Sequence, residues 1–389
     1  MTKWKETEIG RIPEEWGRIR IGDLFFVKNG KTNTQDAVTN GNYPLFDRST
    51  QIKSSNKYLF DSEAIIIPGE GKEFVPRYFS GKFDLHQRAY AITPKTKNIC
   101  VKFFYYWMYY YRTYLERIAV GSTVRSLRLD HLVSFPAPNP TLEEQQAISK
   151  ILSDLDSKIE LNNQMNATLE AMAQAIFKHW FIDFEFPDEN CKPYKSSGGK
   201  MVDSELGEIP EGWKLGALRD LADVNSGKRP YNKSNIYTEE FSVELLGASS
   251  VMGYVKEALY TEPIIVIGRV GTHGIVQRIN TPSWPSDNTL VIRSRYYEYV
   301  FQCLKRIDYN SLNIGSTQPL ITQTQIKNHE ILIPEKRILA AFESLLSRLY
   351  NEVEFNSNEI TNLSSIRDSL LPKLMSGQIR VPVEVIKNA

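Results

Sequence analysis

Two stretches decide the architecture: EIGRIPEEW (Glu8 to Trp16) and ELGEIPEGW (Glu205 to Trp213), the same phrase repeated 197 residues later. At that offset Asp23-Leu24 returns as Asp220-Leu221, and Gly30-Lys31 as Gly227-Lys228. Further along, AIIIPGEG (64–71) and PIIVIGRVG (263–271) are both apolar runs ending in a glycine-rich turn, and VGSTVRSL (120–127) matches IGSTQPLI (314–321), now at offset 194. That offset then holds to the end of the chain's second long helical pattern. A period near half the chain length means duplication, not a solenoid of short repeats.

Each half reads alike. Short runs rich in Val, Ile, Tyr and Phe, broken by Gly, Pro and Asn, predict strands and turns. A candidate helix follows, VKFFYYWMYYYRTYLERIA (101–119) in one half and YYEYVFQCLKRI (296–307) in the other. Next come Pro-bearing connectors (FPAPNPT, 135–141; LIPEK, 332–336), and then a long helix.

The long helices carry the clearest periodicity. Ile148, Leu152, Leu155, Ile159, Asn162, Asn166, Leu169, Ala173, Ile176 and Trp180 follow one another in steps of four and three, a heptad seam. Adding 194 gives Phe342, Leu346, Leu349, Val353, Asn356, Ile360, Leu363, Arg367, Leu370 and Leu374, the same seam again. A helix of about 38 residues is about 57 Å long and cannot bury such a stripe alone. Pairing with its own copy in an antiparallel coiled coil is the simplest solution, and it places the modules at opposite ends. Asn162 and Asn356 occupy matching seam positions, where a polar residue either fixes register or marks a wet, open stretch. Thr141 and Glu144 predict a capping box at the first helix start.

The predicted fold class is α+β: a pseudo-two-fold tandem repeat of two mixed α/β modules separated by two long helices. The boundaries are 1–142 for the first module, 143–182 for its helix and 183–204 for a turn-rich linker. The second module is 205–334, its helix 335–377, and the tail 378–389 alternates like a strand. Phe104, Met108, Tyr111 and Leu115 share one helix face and predict core rather than a base-stacking platform. Trp180 and Phe181 are read first as coil packing, with a partner-docking surface as the alternative. Trp16 and Trp213 predict anchors at the start of each module.

Charge and composition narrow the function. The 389 residues are 41% hydrophobic and 24% charged, as in soluble globular proteins. No apolar run reaches the roughly 20 residues of a membrane helix, and MTKWKETEIG is no secretion signal, so the expected location is cytoplasmic. Cys100, Cys191 and Cys303 are too scattered for a disulfide framework or a zinc site. Net charge is only +1, yet residues 1–142 hold 21 Lys and Arg against 14 Asp and Glu. Residues 205–334 hold 13 against 14. The first module thus has positive charge for phosphates, and the second would lean on partner subunits for backbone neutralisation.

Catalytic motifs are missing from the sequence. Gly30-Lys31-Thr32 lacks the earlier glycine of a phosphate-binding loop, since position 25 is Phe. No Asn/Asp-Pro-Pro-aromatic motif occurs, no Glu-x-Lys follows Pro187-Asp188 at usable spacing, and His86, His131, His179, His273 and His329 form no metal-ligand pattern. Neither a metal nor a cofactor is expected on this chain, and an enzyme is not.

Four segments carry a family resemblance: MVDSELGEIPEGW (201–213), AIFKHWFIDFEFP (175–187), LEEQQAI (142–148) and SLLPKLMSGQIRV (369–381). With these segments in the right order along the chain and the layout duplicated, the chain resembles the specificity subunits of type I restriction-modification systems over essentially its whole length. The resemblance implies a non-catalytic subunit binding double-stranded DNA, two methyltransferase subunits and two restriction-translocase subunits, with S-adenosylmethionine held by the methyltransferase. Each module would read one half of a bipartite target, and the helices would set the gap and dock the methyltransferases. Leu339 stands where the first copy has Gln145, so that junction departs from the pattern. The specificity subunit of a two-subunit type II enzyme and a coiled-coil scaffold that binds no DNA remain open at this stage.

DNA contacts are expected from polar and basic residues in glycine-bearing turns. The candidates are Lys31, Arg77, Arg88, Arg125 and Arg128 in the first module, and Lys228, Arg229, Arg269, His273 and Gln318 in the second.

Overall fold

The computed structural model describes residues 3–205, 207–270, 274–312 and 320–382. They form two compact units, Met1–Asn162 with Asn358–Ala389, and Asn163–Ser357. The division falls inside both long helices, Leu142–Phe181 and Lys336–Met375. Each unit therefore holds one module and one stretch of paired helix.

In the first unit the strand Phe60–Pro68 lies between Ala89–Pro94 and Arg77–Leu85, in a six-stranded sheet completed by Phe25–Asn29, Tyr43–Phe46 and Lys53–Ser55. Its pairings are antiparallel except between Tyr43–Phe46 and Arg77–Leu85. Side chains alternate across a strand, and here both faces are covered. Ala64 and Ile66 pack with Phe46, Phe83, Leu85 and Ala91, while Ile65 and Ile67 pack with Phe103, Phe104 and Trp107 of the helix Val101–Tyr110. Burial on both faces is why AIIIP is an unbroken apolar run. Of the predicted core face, Phe104, Met108 and Leu115 are fully buried and Tyr111 is half-buried. The expected single helix over 101–119 is two, Val101–Tyr110 and Arg112–Ile118. The break at Tyr111 lines up the rings of Trp107, Tyr111 and Tyr114 in a stack at 5.1 and 5.2 Å.

The second unit repeats this plan. Ile264 and Val266 face Leu246 and Val291, while Ile265 and Ile267 face Tyr299, Val300 and Leu304 of the helix Tyr297–Lys305. The sheet, however, is divided into four strands and three. Where the first unit has one strand Arg77–Leu85, the second has Val276–Ile279 and Ser283–Pro285. Pro282 stands at the place of Lys82 and lacks the N–H that a ladder needs.

The helices pair antiparallel within each unit, and every predicted seam residue is buried or half-buried. In the first unit Arg367 pairs with Asp156 at 2.9 Å, and Asn162 donates to Glu359 Oε2 at 2.6 Å. In the second, Trp180 and Phe181 pack on Phe342 at 5.7 and 4.8 Å between ring centres, the coil-packing alternative. Asn356 there donates to Asn166 Oδ1 at 3.0 Å. Asn162 and Asn356 are both buried, and each bonds across the seam within its own unit.

Three expectations meet a different structure. Thr141 Oγ1 does accept from the Glu144 amide at 3.3 Å, but the Glu144 carboxylate completes no capping box. It turns instead to Trp16 Nε1 (2.9 Å) and Arg380 Nε (2.7 Å). Residues 183–204, read as a turn-rich linker, are packed and partly paired. Phe186 stacks on Trp213 at 4.9 Å and on Tyr194 at 4.6 Å, and Met201–Ser204 forms a hairpin with Gly207–Pro210. The tail, as far as residue 382, is no strand; Val381 is buried in the first unit's core.

Candidate nucleic-acid interface

At one end of each sheet the turns are laced together by main-chain hydrogen bonds. In the first unit Gly30 donates to Ala89 O (3.3 Å), Lys31 to Leu85 O (3.0 Å) and His86 to Phe46 O (2.9 Å). Gly69 donates to Arg88 O and Leu127 to Gly69 O, both at 2.8 Å. The second unit rebuilds the lattice bond for bond. Gly227 donates to Thr289 O, Lys228 to Pro285 O, Ser286 to Leu246 O, Arg269 to Asn288 O and Ile321 to Arg269 O, all at 2.9–3.0 Å. The lattice works only with glycine at its first position. A Cβ on Gly30 would lie 1.9 Å from Leu85 O, and one on Gly227 2.1 Å from Ser286 O.

This lattice gathers most of the sequence-predicted candidates. Lys31 and Arg88 are exposed on adjoining turns, and Arg88 pairs with Glu70 at 2.9 Å. Arg125 is exposed beside them, on the short strand whose partner is Glu70–Gly71, and bonds Glu116 O at 3.1 Å. Arg128 is exposed at the start of the helix Leu129–Val133. Arg77 is turned inward. Its guanidinium bonds the Ser49 carbonyl, and its Nη1 is buried with no partner among the described residues. In the second unit Gln277 does the same work, donating to Gly247 O at 3.2 Å; both residues hold a turn in place. Lys228 and Arg229 are exposed at the second lattice. Arg229 lines a cleft with Tyr231, Lys233, Asp287 and Asn288, and Tyr231 is 94% exposed. Arg269 is half-buried and reaches Ser226 Oγ at 3.3 Å. His273 and Gln318 lie outside the described residues.

Sequence reasoning missed Arg48, Glu70 and His86, which complete the first lattice. Arg48 pairs with Glu70 at 2.8 Å. Burial, with the charges of Arg48 and Arg88, holds the His86 pKa below its usual value, so the ring is neutral at pH 7. In that form its Nδ1 accepts from the Arg88 amide at 3.0 Å. Burial raises the Asp47 pKa, but hydrogen bonds from Lys53 and Ser49 prevail and hold it below the usual carboxylate value. The overlooked signal was a third offset. PLFDRST (44–50) and ELLGASS (244–250) match at 200, and so do the two strand-end turns that follow.

The result is a rim of exposed cations on rigid, glycine-dependent turns in the first unit, and a less charged, partly apolar rim on the second. Backbone donors and Arg or Lys side chains in such turns suit the phosphates and base edges of nucleic acid. Among the described residues no helix is long and apolar enough to cross a membrane.

Residues 13–171 and 210–364 match the family model of the type I restriction modification DNA specificity domain. The chain is similar to the MjaIX type I restriction enzyme specificity subunit of Methanocaldococcus jannaschii, with 29% identity over 98% of this chain and 97% of that one. It is also similar to the HindI specificity subunit of Haemophilus influenzae, with 24% identity over 97% and 100%. The crystal structure of a type I restriction-modification S subunit from M. genitalium shares the fold, with a TM-score of 0.62 over 93% of this chain and 96% of that one at 18% identity.

Proposed function

The chain belongs to the type I restriction-modification DNA specificity family, and from that membership we propose how its parts divide the work. Each module reads one half of a bipartite target in double-stranded DNA. The paired helices fix the unread gap, and the junctions between module and helix dock two methyltransferase subunits. Two restriction-translocase subunits join that core for cleavage. This chain supplies target choice and no chemistry. The methyltransferase holds S-adenosylmethionine and flips out the adenine, in the cytoplasm where the host DNA lies.

The observation that carries the reading is the lattice built twice on one backbone plan with different side chains on its rim. A duplicated scaffold with unlike rims suits a target whose two halves differ. The uneven charge fits as well, because the first module can neutralise phosphates itself and the second depends on its partners.

The test is to co-express the chain with its cognate methyltransferase subunit and map modified adenines across the host DNA. The expected result is one bipartite motif with a fixed gap. No modification, with the two subunits shown to associate, would refute the reading.

A further inference from the structure

Three turns far apart in sequence bring one charged group together on the rim of the first lattice. Arg48 follows the strand Tyr43–Phe46, Glu70 follows Phe60–Pro68, and Arg88 precedes Ala89–Pro94. Glu70 Oε2 accepts from Arg48 Nη1 at 2.8 Å and from Arg88 Nη1 at 2.9 Å. We propose that Arg48, Glu70 and Arg88 are the base-reading element of the first module, with the two guanidiniums directed at a guanine-bearing base pair in the major groove. This rests on the function proposed above and narrows it to residues and a base.

Stability does not explain the group. The three side chains are 43%, 22% and 54% exposed, and ion pairs so open to solvent contribute little to folding. The second module makes the same point independently. Its lattice has Ala248, Val270 and Asn288 at the equivalent positions, as the paired bonds Gly69 to Arg88 and Arg269 to Asn288 establish. The turns therefore form without any of the three charges.

Recognition does explain it. A guanidinium has five N–H donors in a rigid fork, and Glu70 occupies one Nη1 on each arginine. Neither guanidinium bonds another group among the described residues. A shared carboxylate thus fixes two long side chains while leaving most of their donors facing out. Guanine presents O6 and N7 in the major groove, the acceptor pair that an arginine fork matches bidentately. The carriers are themselves held. Arg77 bonds the Ser49 carbonyl behind Arg48, Ser126 pairs with Glu70 in the ladder, and His86 Nδ1 accepts from the Arg88 amide.

The test uses the complex with the cognate methyltransferase subunit, comparing wild type with Arg48→Ala, Arg88→Ala, Arg88→Lys and Glu70→Gln by adenine-methylation mapping. Each variant is expected to relax the same half of the motif, at a position that is G·C in wild type. Discrimination there should fall about tenfold or more, while the other half stays unchanged. Arg88→Lys keeps the charge but loses the fork, so it separates base reading from phosphate contact and does not depend on an alanine variant folding. Uniform loss of methylation without relaxation, relaxation at an A·T pair, or an unaltered motif in Arg88→Lys would overturn the assignment. If the wild-type complex modifies no bipartite motif at all, the functional reading fails and the triad falls with it.

Discussion

Arg380 Nε lies 2.7 Å from Glu144 Oε1, joining the last described turn of the chain to the first turn of a helix 236 residues earlier. Glu144 also accepts from Trp16 Nε1 at 2.9 Å, and the Arg380 guanidinium sits 5.9 Å from the centre of the Trp16 ring. The same corner of the second unit is apolar, with Ile338 for Glu144, Phe186 for Arg380 and Trp213 for Trp16. Each module is thus closed by chain that follows a long helix. The first is closed by the tail and the second by residues after Phe181.

The Glu144 side chain is 6% exposed and that of Arg380 is 37%. Removing the arginine leaves a nearly buried carboxylate with only the indole N–H as partner. Arg380→Ala should therefore destabilise the protein by about 1–3 kcal/mol, less than for a fully buried pair because Arg380 is partly solvated. A double-mutant cycle with Glu144→Gln in urea would measure the coupling. Strictly additive effects would mean that the contact is not a clamp.

Glu343, on the second long helix, accepts from the amides of Glu298 (3.0 Å) and Tyr299 (2.8 Å) at the start of the helix Tyr297–Lys305. Burial is the main reason its carboxyl is pushed up to about 7, against roughly 4.3 in an unfolded chain. Because the folded state favours the protonated form, this contribution to stability is full below about pH 4 and is lost as pH rises through 7. Burial shifts Glu298 the same way. Stability should fall by about 2 kcal/mol between pH 5 and 8, and Glu343→Gln should flatten much of that slope. Denaturant midpoints across this range test it, and an unchanged slope in the variant would remove Glu343 as the cause.

Gly30 and Gly227 give a matched pair of predictions. A methyl at either would sit within about 2 Å of a carbonyl oxygen, so the turn must lift off its strand at a cost of about 1–3 kcal/mol or more. Gly30→Ala should spoil reading of one half-site and Gly227→Ala the other, with the gap unaltered in both. Methylation mapping distinguishes the two. If both variants degrade the same half, the lattices do not serve separate halves of the target.

How much of this was legible in the sequence depends on where each contact lies along it. The seams were readable because one helix supplies ten positions in strict steps of four and three, and each repeat names its partner. Trp16 and Trp213 were readable as anchors because a nine-residue phrase surrounds each. Closure of the modules was not readable, because its partners lie far away and change chemistry between copies, from Glu144 and Arg380 to Ile338 and Phe186. The Arg48–Glu70–Arg88 group escaped for a related reason. Its members are separated by 22 and 18 residues, and only the pairing of the strands they flank brings them together. Arg77 looked like a reader because it is basic and near a glycine turn, yet its guanidinium faces the Ser49 carbonyl.

The duplication predicts that a fragment of residues 1–200 dimerises through its single long helix. In the intact chain Asn356 donates to Asn166 at 3.0 Å, and Asn356 is the copy of Asn162. Two antiparallel copies of the first helix would therefore set Asn162 of each against Asn166 of the other and rebuild the bond twice. Other contacts would not carry over. Arg367, which holds Asp156, has Ala173 as its counterpart, and Glu359, which holds Asn162, has Met165. In place of Arg380 the fragment would offer Phe186 to the buried Glu144, an uncompensated carboxylate. The dimer should thus form but weakly, and Glu144→Ile, which copies the second unit's own corner, should tighten it. Light scattering and sedimentation over a concentration series would measure both. A strict monomer would refute the shared seam, and a dimer weakened by Glu144→Ile would show that residues after Phe181 do not close the first module in the fragment.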